Sequence, residues 1–249
     1  MSLSKPYTID EINWPCKMDS NVQQKLLEAS QPYQGIDVLN KMFDDPTFRG
    51  LLYCTKGIST MSNTRLDGQL LVSLVVGKGD WAGVNRIDDG LALTPVKTAL
   101  ASLKANIAVN EVQDSEFLYI PEKAIVELMQ QDSSVYQFLF YLAKRMTNKL
   151  MQSSHISFFK PESKVIFYLT EMMRKVETPA GVKPSLSITQ QLLSEIINVS
   201  RPRTNETLKA LVNEGLIAID RGRITLLDLP GLHQRIQSNE FEYYWHEKR

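Results

Sequence analysis

The chain lacks most of what would announce a chemistry. Two cysteines, Cys16 and Cys54, occur in 249 residues. They stand far apart with no C-x-x-C spacing, so the sequence supports neither a disulfide framework nor a cysteine zinc site. The three histidines, His155, His233 and His246, belong to no constellation with a nucleophile or paired carboxylates. No P-loop is present, and Asp88-Asp89 before Gly90 reads as a turn. The chain is therefore not expected to be an enzyme. No apolar run approaches 18 residues, and the N-terminus has no basic segment followed by an apolar core. That predicts a cytoplasmic protein without a membrane partner. Charge of one sign is also missing: 28 basic residues face 28 acidic ones, a formal net charge of zero. A generally basic surface that holds phosphate without specificity is excluded. Internal repeats and low-complexity tracts are absent too.

What remains is the composition of an ordinary globular protein, 43% hydrophobic and 22% charged, with core enough for one or two domains. Its most informative stretch is residues 187–228. Residues 190–197 carry Leu192, Leu193, Ile196 and Ile197 on one helical face. A break follows at Asn198-Val199-Ser200, where Asn tolerates the left-handed conformation of a sharp turn. Ser200 is expected to cap a second helix with its hydroxyl, and Pro202 in the first turn needs no N–H partner. In that helix Thr204, Thr207, Leu208 and Leu211 form the inward stripe. Arg201, Pro202, Asn205, Glu206 and Lys209 form the outward one, with Arg203 on the flank. Gly215 stops the helix, and residues 216–220 and 223–227 alternate as a two-stranded wing across Arg221-Gly222.

Arg, Asn and Glu near a helix N-terminus are side-chain types that read base edges in a major groove. The competing reading is a surface helical hairpin whose charges face water. The capped second helix, its polar N-terminal face and the Arg-tipped wing together favour a winged helix-turn-helix. Within residues 187–227, Arg201, Arg203, Lys209, Arg221 and Arg223 face Glu195, Glu206, Glu214 and Asp220. Binding is thus expected to rest on placed contacts, from a dimer, with modest non-specific affinity.

Upstream, short helices are expected around residues 21–29 and 35–45. From residue 48 to Pro121 the pattern becomes short β-like runs punctuated by glycine. Residues 51–55 and 58–61 flank Lys56-Gly57, and Asp67-Gly68 is a turn signal before the apolar run 69–76. These suggest a small antiparallel roll or barrel, with 91–104 a helix or irregular insertion and 107–120 a returning strand. Residues 132–154 then read as a long helix, capped by Asp132-Ser133-Ser134 and roughly 30 Å in length. Its stripe of Val135, Phe138, Leu139, Leu142, Met146 and Leu150 is preferred as a dimer seam, the other reading being a helix packed along its own barrel. A linker at 158–161 leads to a helix with Val165, Ile166, Leu169, Met172 and Met173, then a loop at 178–184. The aromatic tail 241–249 has no reading.

A glycine-punctuated roll, a long helix and a winged helix, in that order, resemble the CRP/FNR family of bacterial transcription regulators over about residues 35–230. The most specific matching stretches are Ile188-Thr189-Gln190-Gln191-Leu192-Leu193, Val199-Ser200-Arg201-Pro202-Arg203-Thr204 and Gly215-Leu216-Ile217. Gly57, Gly68 and Gly79-Asp80-Trp81-Ala82-Gly83 look like the family's turn glycines and its G-D-x-x-G loop. The resemblance implies an α+β chain. A cyclic-nucleotide-binding-like β-roll would occupy residues 1–131, a central dimerisation helix 132–157 and a winged helix-turn-helix 161–249. It implies a homodimer, a two-fold operator on double-stranded DNA and contact with RNA polymerase. Carried over by position, Arg201, Pro202 and Glu206 would read bases and Ser200 and Arg203 would lie near phosphate. The full set of expected DNA contacts is Thr189, Gln190, Ser200, Arg201, Pro202, Arg203, Asn205, Glu206, Lys209, Arg221 and Arg223. Glu206 and Pro202 stand where cyclic-AMP-type members have Arg and Glu, so the half-site should differ.

The effector pocket implied by the resemblance is formed by Gly79, Asp80, Trp81, Gly83, Val84, Asn85, Lys97 and Thr98. Cyclic-nucleotide-binding members have a carboxylate directly after the G-D-x-x-G loop and an Arg-Ser pair further on. Here Val84-Asn85 and Ala105-Asn106 stand there, with Lys97-Thr98 as a rival alignment that supplies one cation. A buried phosphate without a cation would cost several kcal/mol, so cyclic AMP and cyclic GMP are not expected to bind. An iron–sulfur sensor needs about four cysteines, and His155 reads as a solvated or interdomain residue rather than a haem ligand. The effector is thus unidentified. The alternative to a DNA-binding regulator is a small-molecule-binding or protein-docking module that does not read DNA.

Overall fold

A computed structural model describes residues 7–64, 70–84, 87 and 107–239. Asp19 accepts from the Asn21 N–H at 2.8 Å and opens α1 (Ser20–Glu28), which buries Val22 and Leu26. After β1 (Gln31–Gln34), α2 (Asp37–Asp44) buries Val38, Leu39 and Met42. Strands β2 (Gly50–Thr64), β3 (Leu70–Gly77), β4 (Trp81–Ala82) and β5 (Ile107–Pro121) complete an antiparallel sheet. Its order is β1-β5-β2-β3, with β4 also paired to β2.

The sheet corrects one expectation. Residues 51–55 and 58–61 are parts of a single strand, β2, and Lys56-Gly57 does not turn the chain. It forms a bulge, where the register against β5 slips between Cys54, Lys56 and Ile58. Gly57 has φ +84°, and a Cβ there would stand 2.2 Å from the Asp114 carbonyl oxygen. The glycine thus marks a kinked strand rather than a hairpin. The Asp67-Gly68 turn lies outside the described residues, although β2 and β3 pair from Thr64 opposite Leu70 as a hairpin would. Residues 91–104 and the tail 241–249 also lie outside them.

Helix α3 (Glu122–Gln131) was not anticipated from the sequence. It buries Ile125, Leu128 and Met129 against the long helix α4 (Ser134–Ile156), whose start Asp132 secures by accepting from the Ser134 N–H at 2.7 Å. Here the expected dimer seam is corrected. Val135, Phe138 and Leu142 are sealed in one cluster with Leu51, Ile120 and the α3 residues, and Leu139 packs on its edge. Met146 leans on a second cluster around Leu39, Leu52 and Phe117. Leu150, 45% exposed, is the one member of the stripe left outside. The buried part of that stripe is therefore a seam with its own chain.

Helix α5 (Pro161–Met173) begins with Pro161 in its first turn and buries Val165, Ile166, Leu169, Met172 and Met173, as their spacing predicts. Strand β6 (Ser185–Ser187), α6 (Gln190–Ile197), α7 (Arg201–Asn213), β7 (Ile217–Asp220), β8 (Arg223–Leu226) and α8 (Leu229–Asn239) follow. The wing has three strands, β6-β8-β7, rather than two. The core of this C-terminal unit continues into the roll through Ile58 of β2 and Val75 of β3. Arg235 of α8 holds the Glu162 carboxylate at 2.7 Å and pairs with Glu214, tying α8 to both ends of the unit. No helix among the described residues is long and apolar enough to cross a membrane.

Two measurements check this account. Gly57→Ala should lower stability by about 1–3 kcal/mol in denaturant unfolding, because the backbone strain and the Asp114 contact act together. Gly181→Ala, also at positive φ (+80°) but in open space, should cost less. Burial pushes the Cys54 thiol up to about 12. A thiol reagent at pH 8 should therefore label Cys54 only when the protein is unfolded.

Candidate nucleic-acid interface

The polar face of residues 187–228 is built by two tight helix stops. Thr189 caps α6, its hydroxyl accepting from the Leu192 N–H at 3.0 Å. The helix ends at Asn198, which adopts the left-handed conformation (φ 51°, ψ 49°). The Val199 N–H then reaches the Ser194 carbonyl at 3.1 Å and the Asn198 N–H the Glu195 carbonyl at 3.2 Å. These are the two bonds of a Schellman stop with Asn in place of Gly. Val199 is buried in the turn and draws α7 against α6.

Ser200 occupies the N-cap position of α7, but its hydroxyl makes no capping bond. The sequence expectation is corrected here. With Pro202 at the helix start one donor is already missing, and the exposed Ser200 is left to solvent. Thr204, Thr207, Leu208 and Leu211 face inward as expected. Gly215 (φ +72°) ends α7 with the same pair of bonds, Leu216 N–H to Leu211 carbonyl at 2.9 Å and Gly215 N–H to Val212 carbonyl at 3.0 Å. At the wing tip Arg221 and Gly222 both have positive φ, 45° and 79°. That is the two-residue turn whose twist suits a hairpin. The Gly222 carbonyl also accepts from the Ile188 N–H at 3.1 Å, fixing the wing against the start of the helix pair.

On this frame Arg201, Pro202, Asn205, Glu206 and Lys209 line one surface depression along α7. Arg203, Arg221, Arg223, Ser200 and Thr189 are exposed around it, and Gln190 is half-exposed. Asn205 is half-buried in the depression, and its Oδ1 is enclosed without a hydrogen-bond partner. Among the described residues no carboxylate pairs with Arg201, Arg203, Lys209, Arg221 or Arg223. Of the acids in this unit, Glu214 pairs with Arg235 and Glu195 with the Gln191 amide, while Glu206 lies in the depression itself. A unit with almost no net charge thus has five exposed cations without a carboxylate partner among the described residues, two of them, Arg201 and Lys209, in the one depression.

The expected effector residues are in different employment. Asp80 is enclosed and holds Lys149 Nζ at 2.8 Å and Lys175 Nζ at 2.6 Å. Burial raises the pKa of its carboxyl, but the two ammonium groups together outweigh this and keep it below the usual carboxylate value. Trp81 packs with Trp14, Tyr53 and Phe138 at ring-centre distances of 5.6, 4.8 and 5.2 Å, and its indole N–H donates to the Asn13 carbonyl at 3.1 Å. Gly83 (φ +93°) lies where a Cβ would meet the Gly50 carbonyl oxygen at 2.4 Å. Val84 packs against the α3–α4 core. Gly79 (φ +85°) shapes the turn, its carbonyl accepting from Asn13 Nδ2 at 3.4 Å. Asn85, Lys97 and Thr98 lie outside the described residues. The loop read as a ligand cradle is, in its described part, packed against the N-terminal segment and α4. Sequence reading missed that segment's role, because a single turn of 3-10 helix (Ile9–Glu11) followed by irregular chain through Asn13 is too short to carry a periodic signal.

Exposed His155 stands edge-on to Phe159, ring centres 6.0 Å apart. Among the described residues no three His, Cys, Asp or Glu side chains gather as a metal site requires.

Comparison with protein families matches residues 163–235 to the Crp-like helix-turn-helix domain. Comparison with curated proteins gives no match. Among solved structures, a chain assigned to the CRP/FNR regulators from Eubacterium rectale superposes with a TM-score of 0.56 at 15% identity, covering 89% of this chain and 95% of that one. FixK2 from Bradyrhizobium japonicum gives 0.57 at 13% identity, over 80% and 90%. A CRP/FNR-family transcriptional regulator from Thermus thermophilus gives 0.54 at 17%, over 85% and 95%. Residues 163–235 are thus a Crp-like helix-turn-helix domain, and the described residues share the fold of these CRP/FNR transcription regulators.

Proposed function

We propose that the protein is a dimeric, sequence-specific DNA-binding regulator of transcription, acting on a two-fold operator and on RNA polymerase as its resemblance implies. The observation that carries the reading is the uncommitted polar face of α7. Arg201, Pro202, Asn205, Glu206 and Lys209 share one depression, and among the described residues neither Glu206 nor any other carboxylate forms an ion pair with its cations or with Arg203, Arg221 and Arg223. In this reading Arg201 and Glu206 meet base edges from the helix N-terminus, and Arg203, Arg221 and Arg223 meet phosphates. In the same reading Thr189, Gln190 and Ser200, exposed or half-exposed at the starts of α6 and α7, join the backbone contacts.

The dimer rests on a face of α4 that the sequence stripe touched only at Leu150. At 100° per residue, Tyr136, Phe140, Ala143, Thr147, Leu150 and Met151 share one side, turned away from both core clusters. Phe140 is 63% and Met151 68% exposed, and Phe158, just past the helix, is 86% exposed. An apolar stripe of this length on a surface facing water fits a second copy of the same helix. The roll is the regulatory half. Its effector is not a cyclic nucleotide, a reading supported by the missing carboxylate at Val84 and by the engagement of Asp80 with two lysines.

Selection from random duplexes at moderate salt tests the reading directly. A palindromic site should be enriched, and failure to enrich one would favour a module that docks protein or small molecules instead. Arg201→Ala and Glu206→Ala should each relax preference at particular base pairs by roughly 1–3 kcal/mol. Unchanged ratios of operator to random-DNA affinity would sink the assignment. Phe140→Asp and Met151→Asp should weaken self-association by about 30-fold or more in sedimentation, while leaving the unfolding midpoint near that of the parent.

A further inference from the structure

The turn between β3 and β4 joins three parts of the molecule through one carboxylate. Asp80 Oδ1 accepts from Lys149 Nζ of α4 at 2.8 Å, and Oδ2 accepts from Lys175 Nζ, two residues past α5, at 2.6 Å. Oδ2 also accepts from the Gly77 N–H at 3.1 Å, which locks the turn itself. The carboxylate side chain is 12% exposed and that of Lys175 19%. Lys149 keeps 34% of its side-chain surface in solvent, yet burial lowers the ammonium's pKa in spite of Asp80. Beside this cluster Lys78 of the same turn pairs with Glu177, beyond Lys175. The backbone also comes close: a Cβ on Gly77 would meet the Lys175 stem at 2.6 Å. The partners therefore come from the sensor sheet, from the long helix and from the segment leading into the helix-turn-helix.

An exposed ion pair contributes little, but a mostly enclosed one is costly to leave half-made. With Asp80 removed, two ammonium groups face each other across a closed space, and the neighbouring segment must shift to reach water. The cluster is thus costly to leave half-made. The reading face of α7 stays exposed while it is complete, so the closed state leaves the DNA contacts available.

We propose that Asp80, Lys149 and Lys175 form an ionic latch that fixes the orientation of the reading unit on the roll and the long helix, and so sets the spacing of the two recognition helices in the dimer. This rests on the DNA-binding reading above. The three side chains are positioning residues and touch no DNA. A latch of this kind acts on a two-fold operator, where both units must match half-sites roughly 34 Å apart, and is indifferent to a single half-site, which one freely swivelling unit can still bind.

The experiment uses the full chain, the enriched operator, a duplex carrying one half-site, and amide hydrogen exchange without DNA. Asp80→Asn and Lys175→Met should each speed exchange across residues 174–184 and weaken operator binding tenfold or more, with half-site affinity within twofold of the parent. Their combination should cost no more than either alone, and Lys175→Arg should retain most of the operator affinity. Unchanged exchange at 174–184, equal losses on both duplexes, or tighter operator binding would each overturn the proposal. If the parent protein binds no duplex, the DNA reading itself has failed, and the exchange comparison alone still decides whether Asp80 fixes the unit.

Discussion

Helix α4 has two apolar faces, and the rest of the structure depends on how they are divided. One face, through Val135, Phe138 and Leu142, is sealed by α3, β2 and β5, so the helix is anchored to the roll over its first half. Further along, Lys149 and Ser153 turn the same side toward the β3–β4 turn and α5, where Ser153 meets the Tyr168 hydroxyl at 3.3 Å. The opposite side carries Tyr136, Phe140 and Met151 into solvent. A helix held this way is rigid relative to the roll and still has a free hydrophobic seam. Both properties suit an element that relates two reading units to each other.

The reading unit itself is shaped by backbone constraints more than by charge. Asn198 and Gly215 each stop a helix in the left-handed conformation, and Arg221-Gly222 turns the wing with two positive φ angles. These three points set the angle between α6 and α7 and the position of the wing tip. Once they are fixed, the side chains that fall on the open face are Arg201, Glu206, Lys209 and their neighbours. A net charge of zero is compatible with a local cationic surface because placement, not the total, decides it. Glu162 and Glu214 are held by Arg235, and Asp80 by two lysines, whereas among the described residues the cations of α7 and the wing have no carboxylate partner.

Charge placement links the roll to the helix-turn-helix unit as well. Asp80 belongs to a loop that would be expected to cradle a ligand, yet its carboxylate points across to Lys149 and Lys175. The adjacent Trp81 is wedged between the N-terminal segment and Phe138. A loop whose one acidic group and one large aromatic ring are both committed to neighbouring elements is a mechanical part of the molecule. Ile58 and Val75 reinforce the point by packing into the core of the C-terminal unit.

Local chemistry was legible from the sequence alone. The helix-turn-helix, its stops at Asn198 and Gly215, the inward stripe of α7 and its outward polar face all follow from spacing and from residues that tolerate special φ angles. The order of roll, long helix and winged helix followed too. Tertiary structure decided what depends on partners distant in the chain. Periodicity shows that α4 is apolar but not which of two apolar sides its own chain covers, because residues 51, 120 and 125 are invisible to a local pattern. A glycine beside Lys56 reads as a turn until the pairing of β2 with β5 makes it a bulge. The destination of the Asp80 carboxylate was equally undetermined: Lys149 and Lys175 lie 69 and 95 residues further along, and only folding brings them within 3 Å.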